Sequence, residues 1–119
     1  MKINLHIIYN VTHTTRFQGF SPLGYGEFRQ GHEIAPLKDP VIAAIASKHG
    51  VSTAQVCLRW TNQRGVATMP FTLKANEMAE NLDIWKFTLD DEDMAQMASL
   101  DKNHHYLRPA DWFGLELWS

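Results

Sequence analysis

Residues 39–65, "DPVIAAIASKHGVSTAQVCLRWTNQRG", hold two helical segments, each closed at both ends by its own sequence, between two short apolar runs that proline terminates. Asp39 is placed to cap the first helix, with Pro40 at the opening helical position. Val41, Ile42 and Ile45 make one apolar stripe, and Gly50 stands where a left-handed C-terminal residue is wanted. In the second segment Ser52 and Gln55 have the capping-box spacing, Val56 and Trp60 lie four apart, and Gly65 can stop the helix. Upstream, "RFQGF" reads as a short strand ended by Ser21-Pro22; downstream, "VATMP" (66–70) reads as a buried strand halted by Pro70. A strand, two helices and a second strand in that order imply a parallel crossover.

The flanking sequence extends this alternation. "INLHIIYNV" (3–11) places Ile3, Leu5 and Ile7 at period two and predicts an N-terminal strand. Residues 24–39, "GYGEFRQGHEIAPLKD", have no sustained period and read as a long surface loop. After Leu73 a helix is expected to carry Met78 and Leu82 on one face. Thr88 and Asp91 then form a capping pair for a further helix striped by Met94, Met97 and Leu100, whose acidic first turn suits the helix dipole. The tail "DKNHHYLRPADWFGLELWS" has no period, and its aromatics Tyr106, Trp112, Phe113 and Trp118 read as an extended cover. Two or three strands cannot complete a parallel sheet covered on both faces, so the pattern is a portion of something larger.

Composition narrows the function. At 119 residues, net charge -2 and 45% hydrophobic content, the chain fits one globular domain at most and has no cationic excess for nucleic acid. Gln55, Arg59 and Arg64 could be read as the contact residues of a helix-turn-helix, but helix packing accounts for the same residues. The single cysteine, Cys57, lies in the apolar run "AQVCLRW" and reads as a buried, inert thiol compatible with a reducing cytoplasm. No apolar stretch approaches the ~18 residues that span a bilayer, and the first residues carry no signal-peptide pattern. The adjacent His104 and His105 have no ligand constellation around them and read as surface histidines.

Four stretches in a fixed order resemble one family: "FSPLG" (20–24), "DPVIAAIASKHGVSTAQVCLRWTNQRGVATMP" (39–70), "MAENLDIWKFTLDDEDMAQMASLD" (78–101) and the late "DW". The chain resembles the aldo-keto reductases, nicotinamide-dependent enzymes on a (β/α)8 TIM barrel. The resemblance implies an α/β fold made of the C-terminal half of that barrel, with strands seven and eight and their helices. It divides the chain into a divergent, strand-like segment at 1–15, the barrel part at 16–101 and a C-terminal loop or tail at 102–119.

What the resemblance implies about the site follows residue by residue. Phe20 would stack on the nicotinamide ring, and Ser21 and Leu23 would contact the pyrophosphate of an NAD(P)H cofactor. In a TIM barrel the loops after strands seven and eight are the usual phosphate-binding loops. After strand eight the family carries Ile-Pro-Lys-Ser, its lysine paired to the 2'-phosphate of NADPH, and an arginine six residues later. This chain has Met69-Pro70-Phe71-Thr72, then Leu73, Lys74 and Glu77. Two cations have become an aromatic and an anion, which slightly favours NAD over NADP because a carboxylate repels a phosphate and accepts from a ribose hydroxyl. Lys74 is a candidate replacement charge, against the simpler reading of a solvated lysine. Glu80 and Asn81 match the Glu-Asn pair that holds the adenine, and Trp112 is a candidate for the substrate pocket.

The family's catalytic tyrosine, lysine, aspartate and histidine lie upstream of Ser-Pro-Leu-Gly, and the N-terminal His6, Tyr9, His13 and Lys2 match none of their motifs. The chain is therefore expected to be inactive alone, with a cofactor and a small carbonyl substrate as partners by resemblance and a complementing half-barrel to finish the site. A different class of reading keeps the half-barrel as a non-catalytic, self-associating scaffold, since open sheet edges expose apolar surface. The expected location is cytoplasmic.

Overall fold

The computed structural model describes residues 17–19, 21–24 and 36–102. Strands β1 (Gln18–Gly19) and β2 (Ala67–Thr68) pair in parallel, Gln18 opposite Ala67 and Gly19 opposite Thr68. A parallel pair needs a crossover. Here it contains a 3-10 turn at Pro36–Lys38, then α1 (Pro40–His49) and α2 (Thr53–Gln63). After β2 come α3 (Ala75–Leu82), a 3-10 turn at Ile84–Lys86, and α4 (Asp91–Ser99).

The local signals for α1 and α2 act as expected. The Asp39 carboxylate accepts the N–H groups of Val41 at 2.8 Å and Ile42 at 3.4 Å, which satisfies donors that have no intrahelical partner. Gly50 ends α1 at φ 65°, a backbone region that disfavours a side chain, and its N–H meets the carbonyls of Ala46 and Ser47. At α2, the N–H of Gln55 donates to Ser52 Oγ at 3.2 Å and the N–H of Ser52 returns to Gln55 Oε1 at 3.1 Å. Helices α1 and α2 then bend by 89° at the break between them. Their facing stripes can therefore close on a single core.

That core joins Ile42, Ile45 and Ala46 of α1 to Val56 and Cys57 of α2, with Leu89 and Met97 closing it from the α4 side. Each fully buried aliphatic contributes about 1.5–3 kcal/mol relative to exposure, so these residues hold the helical layer together. Leu23, Val41, Trp60, Phe87, Met94 and Leu100 pack around them. A Cβ built on Gly19 would lie 3.4 Å from Val66 Cγ1 and 3.7 Å from Thr61 Cγ2, which shows how closely α2 and its exit press on the strand pair.

Two expectations change, the cap of the last helix and the length of the strand over 66–70. The helix at 91–99 is capped by Asp90, whose carboxylate accepts the Asp93 N–H at 2.9 Å, and not by Thr88 with Asp91. Thr88 is engaged elsewhere, accepting from Arg59 Nη2 at 3.1 Å. The strand expected over 66–70 is ordered as strand only at Ala67–Thr68; Val66 is buried, whereas Ala67 and Met69 are exposed. Met78 and Leu82 do share the α3 helix, but both are exposed. Gln55 is buried, with its amide spent inside the fold, Arg59 lies 5.3 Å from the Trp85 ring and Arg64 lies 4.4 Å from the Trp60 ring, so this helix pair is engaged in its own packing. The strand expected at 3–11, residues 25–35 of the long loop, and the tail beyond 102 lie outside the described residues. Among the described residues no single helix is long and apolar enough to cross a membrane.

Candidate cofactor site

Because β1 and β2 run in parallel, the segments that follow them leave the sheet at the same end. Behind β1, Ser21 to Gly24 form a tight turn closed by the Gly24 N–H on the Ser21 carbonyl at 3.0 Å. Ser21 takes φ 48°, the left-handed region that costs a side-chain-bearing residue about 1 kcal/mol or more. Strain of that kind persists where surrounding structure fixes it, and it sits here at the strand exit. Ser21 and Leu23 are half-buried, and Leu23 packs against the helical core. Phe20 lies outside the described residues.

Behind β2, Phe71 is 84% exposed and Leu73 is also exposed, while the polar residues between and after them form a cluster. The Thr72 hydroxyl donates to Glu77 Oε2 at 2.6 Å and accepts the Lys74 N–H at 3.1 Å. Lys74 Nζ donates to Glu77 Oε1 at 2.8 Å. The hydrogen bond from Lys74, then that from Thr72, lowers the Glu77 carboxyl below its ordinary range, so it is an anion at neutral pH. Lys74 is thus an exposed lysine with a carboxylate partner. It is also the N-cap of α3, where no side chain caps the first turn. Glu80 is exposed and Asn81 half-buried on the same helix. Gln55 Nε2 donates to the Glu80 carbonyl at 3.0 Å, tying α3 to the start of α2.

The structure therefore gathers Thr72, Lys74 and Glu77 into one cluster and places Ser21 and Leu23 on the neighbouring turn at the same end of the sheet. Trp112, His104 and His105 lie outside the described residues. No group of three or more His, Cys, Asp or Glu side chains suited to a metal occurs among the described residues.

A second polar cluster was not foreseen. Asp93 is 1% exposed, and its carboxylate takes Lys48 Nζ at 2.8 Å, His49 Nε2 at 2.7 Å and the Asp90 N–H at 3.2 Å. Lys48 also reaches Asp90 Oδ2 at 2.6 Å. Burial alone would raise the Asp93 carboxyl, but hydrogen bonds from Lys48, His49 and the Asp90 amide overcome it and bring it down to about 2. The pair Asp90/Asp93 has capping-box spacing that the sequence displays, but its partners stand more than forty residues away. This cluster fastens the end of α1 to the start of α4.

The sequence profile of the Aldo/keto reductase family matches residues 15–102. The chain belongs to the aldo-keto reductase family. It is 43% identical over 102 residues to the NAD(P)H-dependent D-xylose reductase xyl1 of Hypocrea jecorina, covering 83% of this chain and 32% of the relative. It is 39% identical over 92 residues to aldo-keto reductase family 1 member A1 of Bos taurus, covering 76% of this chain and 28% of that protein. The solved structure of Gox0644 in its apo form superposes with a TM-score of 0.70 at 31% identity, over 86% of this chain and 35% of that one. The chain thus spans about a third of the length of the curated relatives it matches. Its parallel β–α–α–β unit is a piece of the barrel of the aldo-keto reductases.

The polar groups at the strand exits are of the types that a nicotinamide dinucleotide would need from its protein. The first-turn amides of α3 are donors of the kind that phosphate oxygens take, the Glu77 carboxylate can accept from ribose hydroxyls, and the exposed Phe71 ring offers an apolar face.

Proposed function

We propose that this chain is the C-terminal part of an NAD(P)H-dependent aldo-keto reductase, with β1 and β2 as the seventh and eighth strands of the barrel, carrying part of the cofactor site. The observation that carries the reading is the placement of the Ser21–Gly24 turn and the Thr72–Lys74–Glu77 cluster at the same end of a parallel strand pair. That is the ligand end of a (β/α)8 barrel. Ser21 and Leu23, with Phe20, would meet the nicotinamide and pyrophosphate; Phe71, Thr72, Leu73, Lys74 and Glu77 the adenosine ribose; Glu80 and Asn81 the adenine. The bound nicotinamide supplies the hydride for a small carbonyl substrate.

NADH is the favoured form. Lys74 is offset by Glu77 at 2.8 Å and Phe71 contributes no charge, so the cluster offers little net positive charge to a 2'-phosphate. Proton donation and substrate orientation would come from a complementing barrel part, in a cytoplasmic setting, and the chain alone would turn over no carbonyl. Titration of the purified chain with NADH and NADPH by nucleotide fluorescence, with solution mass measured in parallel, tests the reading. Saturable NADH binding tighter than NADPH supports it; steady carbonyl turnover by the isolated chain would refute the division of labour.

One feature favours a second reading, a self-associating half-barrel scaffold. Met69, Phe71, Leu73, Met78, Leu82 and Trp85 are all exposed, more large apolar side chains than a finished domain normally leaves on one segment. A dimeric mass with no binding of either nucleotide would select it.

A further inference from the structure

We infer that Ala75, Met78, Ala79 and Leu82 of α3, with Trp85 just beyond it, are the docking face for the next βα unit of the barrel: a strand added in parallel to the edge of β2 opposite β1, and an apolar helix laid on the stripe. The inference rests on the reading of this chain as one part of a barrel, and it assigns the place where the complementing part attaches.

The four α3 residues stand at i, i+3, i+4 and i+7, which is one face of a helix. That face is turned outward. Met78 is 47%, Leu82 78% and Trp85 66% exposed, and both alanines are exposed with them. The half-buried residues of α3 are Glu77 and Asn81, on the far side of the helix, and none of its residues is buried. A surface helix of a finished domain has the reverse arrangement, with its apolar stripe toward the core and its polar side toward water. The helix is nonetheless anchored: the Gln55 amide donates to the Glu80 carbonyl at 3.0 Å, and Ile84 in the turn that follows is buried. The stripe is thus held in a fixed place and presented outward.

The strand order says what fits there. Among the described residues β2 pairs with β1 alone. Crossovers between parallel strands keep one hand, and in a closed barrel each helix covers its own strand and the next. The α1–α2 crossover has carried the chain from β1 to β2, so α3 leads on to the position beyond β2, away from β1. A parallel edge beside an outward apolar helix calls for a strand of the same direction with a helix of its own. A second copy of the chain meets this requirement less well, because a two-fold axis that keeps both helical layers on one face brings the two β2 edges together antiparallel. Chain length agrees: the match covers 32% of one relative and 28% of another, so the greater part of a family barrel lies outside it.

The test co-expresses the 119-residue chain with the affinity-tagged part of the Hypocrea jecorina xylose reductase that lies outside the match, and measures how much of the chain is retained. Leu82→Glu is expected to cut retention about tenfold, and Met78→Glu combined with it to cut it further, since burying one such side chain is worth about a factor of ten or more in binding. Asn76→Glu, exposed and off the stripe, is expected to leave retention unchanged. The urea midpoint of the isolated chain should not fall in any of these variants; a fall in Leu82→Glu would mean that the stripe is covered within the chain, and would overturn the inference. Equal retention of the wild type and the Met78→Glu, Leu82→Glu double variant overturns the docking face and leaves the complementing-part reading standing. A wild type that is not retained overturns both. A dimer that Leu82→Glu turns into a monomer assigns the stripe to a second copy and overturns the inference in that way.

Discussion

Replacing Asp93 with alanine removes the carboxylate that joins α1 to α4. Three donors lose an acceptor: Lys48 Nζ, His49 Nε2 and the Asp90 backbone N–H. Lys48 keeps Asp90 at 2.6 Å and is half exposed, so its loss is small. The His49 side chain is only 17% exposed and the Asp90 amide loses its half of the capping box, each worth about 1 kcal/mol. The expected cost is about 2–3 kcal/mol, read as a lower urea midpoint at unchanged m. Asp91→Ala, an exposed first-turn neighbour that has only the helix dipole to lose, is the control and should cost no more than about 0.5–1 kcal/mol. The pH dependence has a definite sign. A carboxyl held at about 2 in the folded state, against 3.8 ordinarily, contributes stability that is fully present above pH 4 and is lost as pH falls toward 2. The wild type should therefore lose its advantage over Asp93→Ala across that window. Equal costs for Asp93→Ala and Asp91→Ala, or a difference between wild type and Asp93→Ala that persists unchanged at pH 2, would refute the reasoning.

Other consequences follow from single residues. Burial, then the charge of Asp39, pushes the Cys57 thiol up to about 12, so it should resist a thiol reagent at pH 8 until denaturant is added; because the unfolded thiol ionises near 9, stability should also decline as pH rises above 9. Gln55→Ala removes half of the α2 capping box and the bond to the Glu80 carbonyl, and should cost about 2 kcal/mol in urea unfolding, with faster amide exchange in α3. Ser21→Gly relieves a left-handed backbone and should raise stability by up to about 1 kcal/mol while weakening nucleotide binding through loss of the hydroxyl, as a thermal scan and the same fluorescence titration would record.

The sequence made the helices legible where their signals are local. Asp39-Pro40 with Gly50, and Ser52 with Gln55, act within one turn of the chain, so spacing alone located α1 and α2. At α4 two overlapping pairs had equally good spacing, Thr88/Asp91 and Asp90/Asp93. Contacts from distant helices decided between them: Arg59 engages Thr88, and Lys48 and His49 meet at Asp93. Such contacts leave no mark on local periodicity. Met78 and Leu82 were correctly placed on one helix, but helical period says only that a face is apolar, not what covers it. At the candidate site, the resemblance to the family already pointed to Phe71 and Glu77. That Lys74 would neutralise Glu77, and that Thr72 would hold it, required side-chain geometry.

We propose above that a nicotinamide dinucleotide meets this chain at the exits of β1 and β2. Backbone amide chemical shifts of the isotope-labelled chain, followed through a titration with NADH, test it most directly. Shifts are expected at Ser21 to Gly24 and Thr72 to Asn81, with the α1–α4 junction around Lys48 and Asp93 unaffected. Saturating shifts confined to that junction, or none at either strand exit at millimolar NADH, would contradict it.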